Sequence, residues 1–219
     1  MNALTGSDLY ADDRLFATLD ARARLFPMAS GKSVMLTDTV GFIQRLPHHL
    51  IASFNATLQE SLNSDLLLQV IDAASPLLIK HLHTVENTLA DMGASERPRL
   101  MVFNKVDAVS DPGLLESLAR EYSGAVFLSA RNRTGFNDLE DAIIDYYRRK
   151  SRPHRLIVPA ADGKALAYIS RHGFDETREY QGDQVHISVH IEPEHIEHLY
   201  KLSRRITVVS PKRQTTNAW

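Results

Sequence analysis

Residues 99–107 read Arg99-Leu100-Met101-Val102-Phe103-Asn104-Lys105-Val106-Asp107, a short apolar run that breaks into a polar N-K-x-D turn. An apolar run of four bounded by polar residues has the length of a buried strand. It recurs on both sides: Leu66 to Ile71 comes before it, and Ala125 to Leu128, ending at Ser129-Ala130, comes after it. Helical periodicity fills the intervals, over 76–92, 111–121 and 137–147, the last opening with Asn137 and Glu140 in the spacing of a capping box. Strands that alternate with helices predict a parallel sheet covered on both faces. In such sheets ligands gather at the carboxyl ends of the strands, where Asn104 to Asp107 and Ser129-Ala130 stand.

Upstream, 23–28 and 33–37 flank Ala29-Ser30-Gly31-Lys32 and predict a hairpin, whose second strand runs into Asp38-Thr39-Val40-Gly41-Phe42. Met1 to Leu4 reads as a last helical turn stopped by Gly6, and 47–62 as a helix with Leu50, Ile51, Phe54, Leu58 and Leu62 on one face. Downstream, the basic run 148–155 reads as a linker. It leads to a small βαββα unit: a strand at 156–159, a helix at 162–172, a hairpin of 174–181 with 184–191, and a helix at 193–202. The expected division is 1–150, 151–203 and a tail, 204–219, without clear period.

Composition bounds the function. The 219 residues are 43% hydrophobic and 24% charged, the balance of a globular chain. With 25 Lys and Arg against 27 Asp and Glu the net charge is -2, which excludes a globally basic nucleic-acid binder and leaves room for local basic patches. There is no cysteine, so disulfides, thiolate metal sites and cysteine nucleophiles are excluded. No run approaches the roughly 20 apolar residues of a membrane span. Met1 to Gly6 lacks the basic and apolar regions of a signal peptide, so the expected location is cytoplasmic.

The stretches LFATLD (15–20), LTDTVGFI (36–43), FNKVD (103–107) and LSA (128–130) occur in an order and spacing that resemble a Ras-like GTPase, specifically the HflX family of translational GTPases. The resemblance covers most of 1–150, and the βαββα unit resembles that family's C-terminal extension. It implies an α/β, Ras-like P-loop NTPase three-layer fold that binds GTP or GDP with Mg²⁺ and acts on the large ribosomal subunit. It implies a monomer, with no DNA partner and no integral membrane segment. The base chemistry agrees. Guanine offers N1–H and N2–H on one edge, and an ionised carboxylate, Asp107, can accept both. Adenine lacks the pair. Asn104 is placed to bridge the base and neighbouring loops, the stem of Lys105 to cover the base plane, and Ser129-Ala130 to present a backbone N–H to the guanine oxygen.

For the metal and the γ-phosphate, the resemblance points to Thr18, Asp38 and Gly41. Asp38 holds Mg²⁺ through water, Thr18 ligates it by its hydroxyl, and Gly41 lets its amide approach the phosphate. Phe42 stands where Ras-like enzymes carry a water-orienting glutamine. It cannot hydrogen-bond water, so water positioning falls to another group. The one G-K-S, Gly31-Lys32-Ser33, lies after FATLD and inside the hairpin turn, and Phe26 stands five residues before Gly31, so it is not a phosphate loop.

The chain thus reads as lacking the first strand and P-loop of such a domain. In Ras-like folds that strand lies between the one ending at Asp38 and Leu66–Ile71, so a gap in the sheet and poor solubility are expected. The alternative is a catalytically inactive fragment that contacts the ribosome or RNA. His195 and His198 lie three apart on a predicted helix with His190 nearby on a strand, but no metal motif surrounds them and the helix reads as a solvated face. The basic run and Arg204, Arg205, Lys212 and Arg213 fit either solvated charge or RNA phosphates.

Overall fold

The computed structural model describes residues 1–6, 22–38 and 63–209. The chain divides into two compact units: Met1–Ala29 with Ser33–Ala142, and Ile143–Trp219 with the turn Ser30–Lys32.

In the first unit, α1 (Asn2–Thr5) ends on Gly6, whose left-handed φ of 64° needs no side chain. β1 (Arg22–Pro27) and β2 (Ser33–Asp38) form the expected hairpin, an antiparallel ladder from Arg22↔Asp38 to Pro27↔Ser33. Gly31, with φ of 75°, sits in its turn. β3 (Leu67–Asp72), α2 (Leu78–Asp91), β4 (Arg99–Asn104), α3 (Pro112–Glu121), β5 (Val126–Phe127) and α4 (Phe136–Lys150) follow in the alternation that the apolar runs predict. β3, β4 and β5 are parallel, in that order. Ile71, Ala73 and Phe103 pack with Leu78 and Leu82 of α2 and Leu118 of α3. Phe103 stacks on Phe127 at 5.2 Å, the kind of burial that dominates core energetics.

Among the described residues β2 pairs only with β1, and β3 is the edge of its own sheet. Val70, between buried Gln69 and Ile71, is 61% exposed, and buried Gln69 Nε2 has no hydrogen-bond partner among the described residues. The helix expected at 47–62 lies outside the described residues.

Three local expectations are corrected. Asn137 does not cap α4: the helix starts at Phe136, and the Gly135 carbonyl accepts from the Leu139 amide, so the left-handed turn at Gly135 sets the start earlier. The run 148–155 is not a linker: α4 continues to Lys150 and β6 (Arg152–Pro159) begins two residues later, because its ladder with β8 extends to Arg152↔Ile191. The tail is not wholly aperiodic: Thr207–Val209 forms β9 against β6.

The second unit is therefore βαββαβ. β6, α5 (Gly163–His172), β7 (Phe174–Gln181), β8 (Gln184–Ile191), α6 (Pro193–Leu202) and β9 make an antiparallel sheet in the order β7-β8-β6-β9, the split β-α-β arrangement. Alternate residues Val185, Ile187, Val189 and Ile191 join Leu156 and Val158 against Ala165 and Ile169 of α5 and Ile196 and Leu199 of α6. Asp162 caps α5 by accepting from the Ala165 amide at 3.1 Å.

Candidate nucleotide-base site

The site is assembled at the carboxyl end of the three-stranded sheet of the first unit. β4 ends at Asn104, whose carbonyl accepts from the Ala73 amide at 2.8 Å, tying the loop after β3 to the loop after β4. The Asn104 side chain turns the other way: the Ala130 amide donates to its Oδ1 at 3.0 Å. One asparagine thus joins all three loops. The same bond engages, within the protein, the Ala130 amide expected to face the guanine oxygen.

Lys105 adopts a left-handed backbone, φ 64° and ψ 34°, uncommon for a residue with a side chain. It turns the chain into the 3₁₀ turn Val106–Ala108, which carries Asp107 with an exposed side chain. The Lys105 ammonium pairs with Asp72 Oδ2 at 2.7 Å. Asp72 lies opposite Asn104 in the ladder, and its Oδ1 accepts from the Ala74 amide. Sequence reasoning misses this carboxylate; its position directly after an apolar strand is the available signal.

On the far side, Ser129 is fully buried, and its Oγ accepts from the Asn132 amide at 3.0 Å. Ser129 and Thr134 exchange backbone hydrogen bonds of 3.0 and 3.2 Å, closing a tight loop whose Arg133 and Gly135 both have positive φ. A Cβ at Gly135 would fall 2.9 Å from Leu128 Cα and closer still to the Phe127 carbonyl, so only glycine fits. Sequence reasoning misses Gly135 as well; a glycine shortly after S-A is its only trace.

Asn104, Lys105, Asp107, Ser129 and Ala130 are thus brought to one corner. Asp38 ends β2, in the other sheet. Thr18, Gly41 and Phe42 lie outside the described residues. No group of three or more His, Cys, Asp or Glu able to hold a metal occurs among the described residues. Asp38 is a single carboxylate at a strand end, a donor type that Mg²⁺ accepts.

Two other sequence features have structural roles. Lys32 donates to the carbonyl oxygens of Ser170 (2.7 Å) and Gly173 at the end of α5, and burial lowers its pKa. It caps a helix, in keeping with a G-K-S that is not a phosphate loop. His195 and His198 are more than a solvated face: His195 Nδ1 is 2.8 Å from Tyr168 Oη, His198 stacks on Tyr168, and His195 lies against His172 at 4.2 Å. No helix of the described residues is long and apolar enough to cross a membrane.

Residues 1–105 match a family model described as "50S ribosome-binding GTPase". The chain is 40% identical over 173 residues to the GTPase HflX of Caldanaerobacter subterraneus subsp. tengcongensis, covering 79% of this chain and 39% of the relative. It is 37% identical over 164 residues to the GTPase HflX of Escherichia coli K12, covering 74% and 38%. The chain spans less than half the length of these curated relatives. Among solved structures, an SsGBP variant superimposes with a TM-score of 0.51 at 31% identity, over 66% of this chain and 48% of that one. Era from Aquifex aeolicus, solved with GDP·AlF4⁻, superimposes at 0.52 and 17% identity over 66% of this chain and 50% of that one, a likeness of fold alone.

Proposed function

Because the chain is a homologue of the HflX GTPases, we propose that its first unit reads guanine at the corner held by Asn104 and Ala130, as the base-binding half of a GTP site. Asp107 accepts from N1–H and N2–H of the base; Asn104 and the Ser129–Ala130 backbone meet its other edge; the Lys105 stem, steadied by Asp72, lies along its plane. Adenine leaves the Asp107 carboxylate without its two donors, which is the source of discrimination. Thr18 and Asp38 would hold Mg²⁺ and the Gly41 amide would meet the γ-phosphate, and Phe42 would leave the attacking water to another group. Bound Mg²⁺ would neutralise phosphate charge. The GTPase activity and the association with the large ribosomal subunit belong to the longer protein that the relatives represent, in the cytoplasm.

The observation that carries this reading is the Asn104–Ala130 bond, which makes one corner of two loops 26 residues apart. The chain has no G-x-x-x-x-G-K-[ST] run, so the probe is the nucleoside, which needs no phosphate grip. Saturation-transfer NMR of the chain with millimolar guanosine and adenosine should show guanosine preferred. Asp107→Asn should shift that preference toward xanthosine. Equal transfer to guanosine and adenosine would refute the reading.

A further inference from the structure

The ion pair between Lys105 and Asp72 has little to do with stability: the side chains are 58% and 35% exposed, and exposed pairs contribute little to a fold. Yet both partners are held for it. Asp72 ends β3, directly opposite Asn104 in the parallel ladder. Its Oδ1 accepts from the Ala74 amide at 3.0 Å, which turns Oδ2 to the Lys105 ammonium at 2.7 Å. The Ala73 amide donates to the Asn104 carbonyl at 2.8 Å, so the loop after Asp72 is tied to the turn that carries Lys105. Lys105 keeps a left-handed backbone, φ 64°, that few residues with a side chain adopt. Backbone outliers of this kind gather at functional sites.

The charges of the turn show what the pair achieves. Lys105 precedes the 3₁₀ turn Val106–Ala108, and the Ala108 amide closes it by donating to the Lys105 carbonyl at 2.9 Å. Asp107 lies in the middle of that turn with an exposed side chain. The ammonium and the Asp107 carboxylate therefore belong to one tight turn, two residues apart. At that range, well inside a Debye length of about 10 Å, opposite charges attract. A lysine closed on Asp107 would occupy the acceptor oxygens that the two donors of a guanine edge need. Asp72 offers Lys105 a different carboxylate, on the neighbouring strand. Both of its own oxygens are engaged, by the Ala74 amide and by Lys105.

We propose, resting on the guanine reading of this corner, that Asp72 is a positioning residue that sets the base selectivity of the site. By holding the Lys105 ammonium at the end of β3, it keeps the Asp107 carboxylate open to a guanine edge. Asp72 itself touches no base.

The test is saturation-transfer NMR of the full 219-residue chain and its variants with guanosine and with adenosine. Asp72→Asn keeps an oxygen for the Ala74 amide and loses only the charge. It should lower the guanosine-to-adenosine ratio about threefold, the size expected when an exposed ion pair competes for Asp107. Adenosine transfer should hold, because adenosine makes no use of that carboxylate. Asp72→Ser, smaller and also uncharged, should give the same fall. Asp72→Asn with Lys105→Met should regain the ratio of Lys105→Met alone, because methionine keeps an apolar stem and has no ammonium to release. Raising the salt from about 0.05 M to about 0.5 M should recover part of the ratio in Asp72→Asn, since exposed charges are screened. A pair that merely ties two loops together predicts otherwise: transfer to both nucleosides falls alike, and removing the ammonium restores nothing. If the wild type prefers guanosine and both Asp72 variants keep that ratio, or the double variant stays as low as Asp72→Asn, the proposal is overturned while the guanine reading stands. No guanosine preference in the wild type would remove both.

Discussion

Asn104 and Ala130 meet through a 3.0 Å hydrogen bond, from the Ala130 amide to the Asn104 side-chain oxygen, across 26 residues of chain that include α3 and β5. The bond places the N-K-x-D turn and the S-A loop at a fixed separation. A site preorganised in this way loses less free energy to ordering when it binds.

Asn104→Ala should therefore loosen two loops at once. Removing one partner of a part-buried hydrogen bond costs about 1–3 kcal/mol, and the Ala130 amide is left to find a new acceptor. Urea unfolding should show that loss, and guanosine transfer should fall with it. Unchanged stability together with unchanged guanosine preference would mean that the bond holds nothing in place.

Gly135→Ala tests the loop from its other end. The left-handed φ of 76° costs an L-residue about 1–3 kcal/mol, and the new methyl group meets the backbone of Phe127 and Leu128. A lowered urea midpoint with unchanged m-value is expected. A midpoint within error of wild type would show that the loop can relax around the methyl.

Lys32→Met separates two meanings of G-K-S. Its ammonium serves carbonyls at the end of α5 and lies 5.1 Å from the Phe174 ring centre. The substitution should destabilise the second unit by about 1–2 kcal/mol, as expected for a half-buried charged donor, and leave guanosine binding unaltered. A selective loss of phosphate-dependent nucleotide binding, with stability intact, would restore the phosphate-loop reading.

The imidazole cluster predicts a pH dependence. Burial, then His195, Arg171, Lys32 and His198, lower the His172 pKa from 6.5 to about 4. A histidine whose folded pKa lies below its unfolded value is held neutral by the fold. Its contribution is complete above pH 6.5 and is lost as the pH falls toward 4, because the unfolded chain binds the proton first. The melting temperature of the chain should fall across that window, and His172→Phe should flatten the fall. An identical slope in the variant would assign the acid loss to other groups.

Periodicity and local turn chemistry are enough to place most elements. The alternation Val185-His186-Ile187-Ser188-Val189-His190-Ile191 shows a one-sided strand by itself, and its hairpin with 174–181 follows from Gly182-Asp183. The N-K-x-D turn can be set at a strand end for the same reason, since both signals lie within a few adjacent residues. Tertiary structure decides the rest. Thr207–Val209 is too short to announce a strand and becomes one only because β6, about fifty residues earlier, offers an open edge. Asp72 becomes part of the site only when Lys105 reaches it, and Lys32 becomes a helix cap only where the end of α5 arrives 138 residues later. A sequence carries its repeat lengths locally, whereas a hydrogen bond or an ion pair depends on distance in space, which is set when the apolar faces are buried.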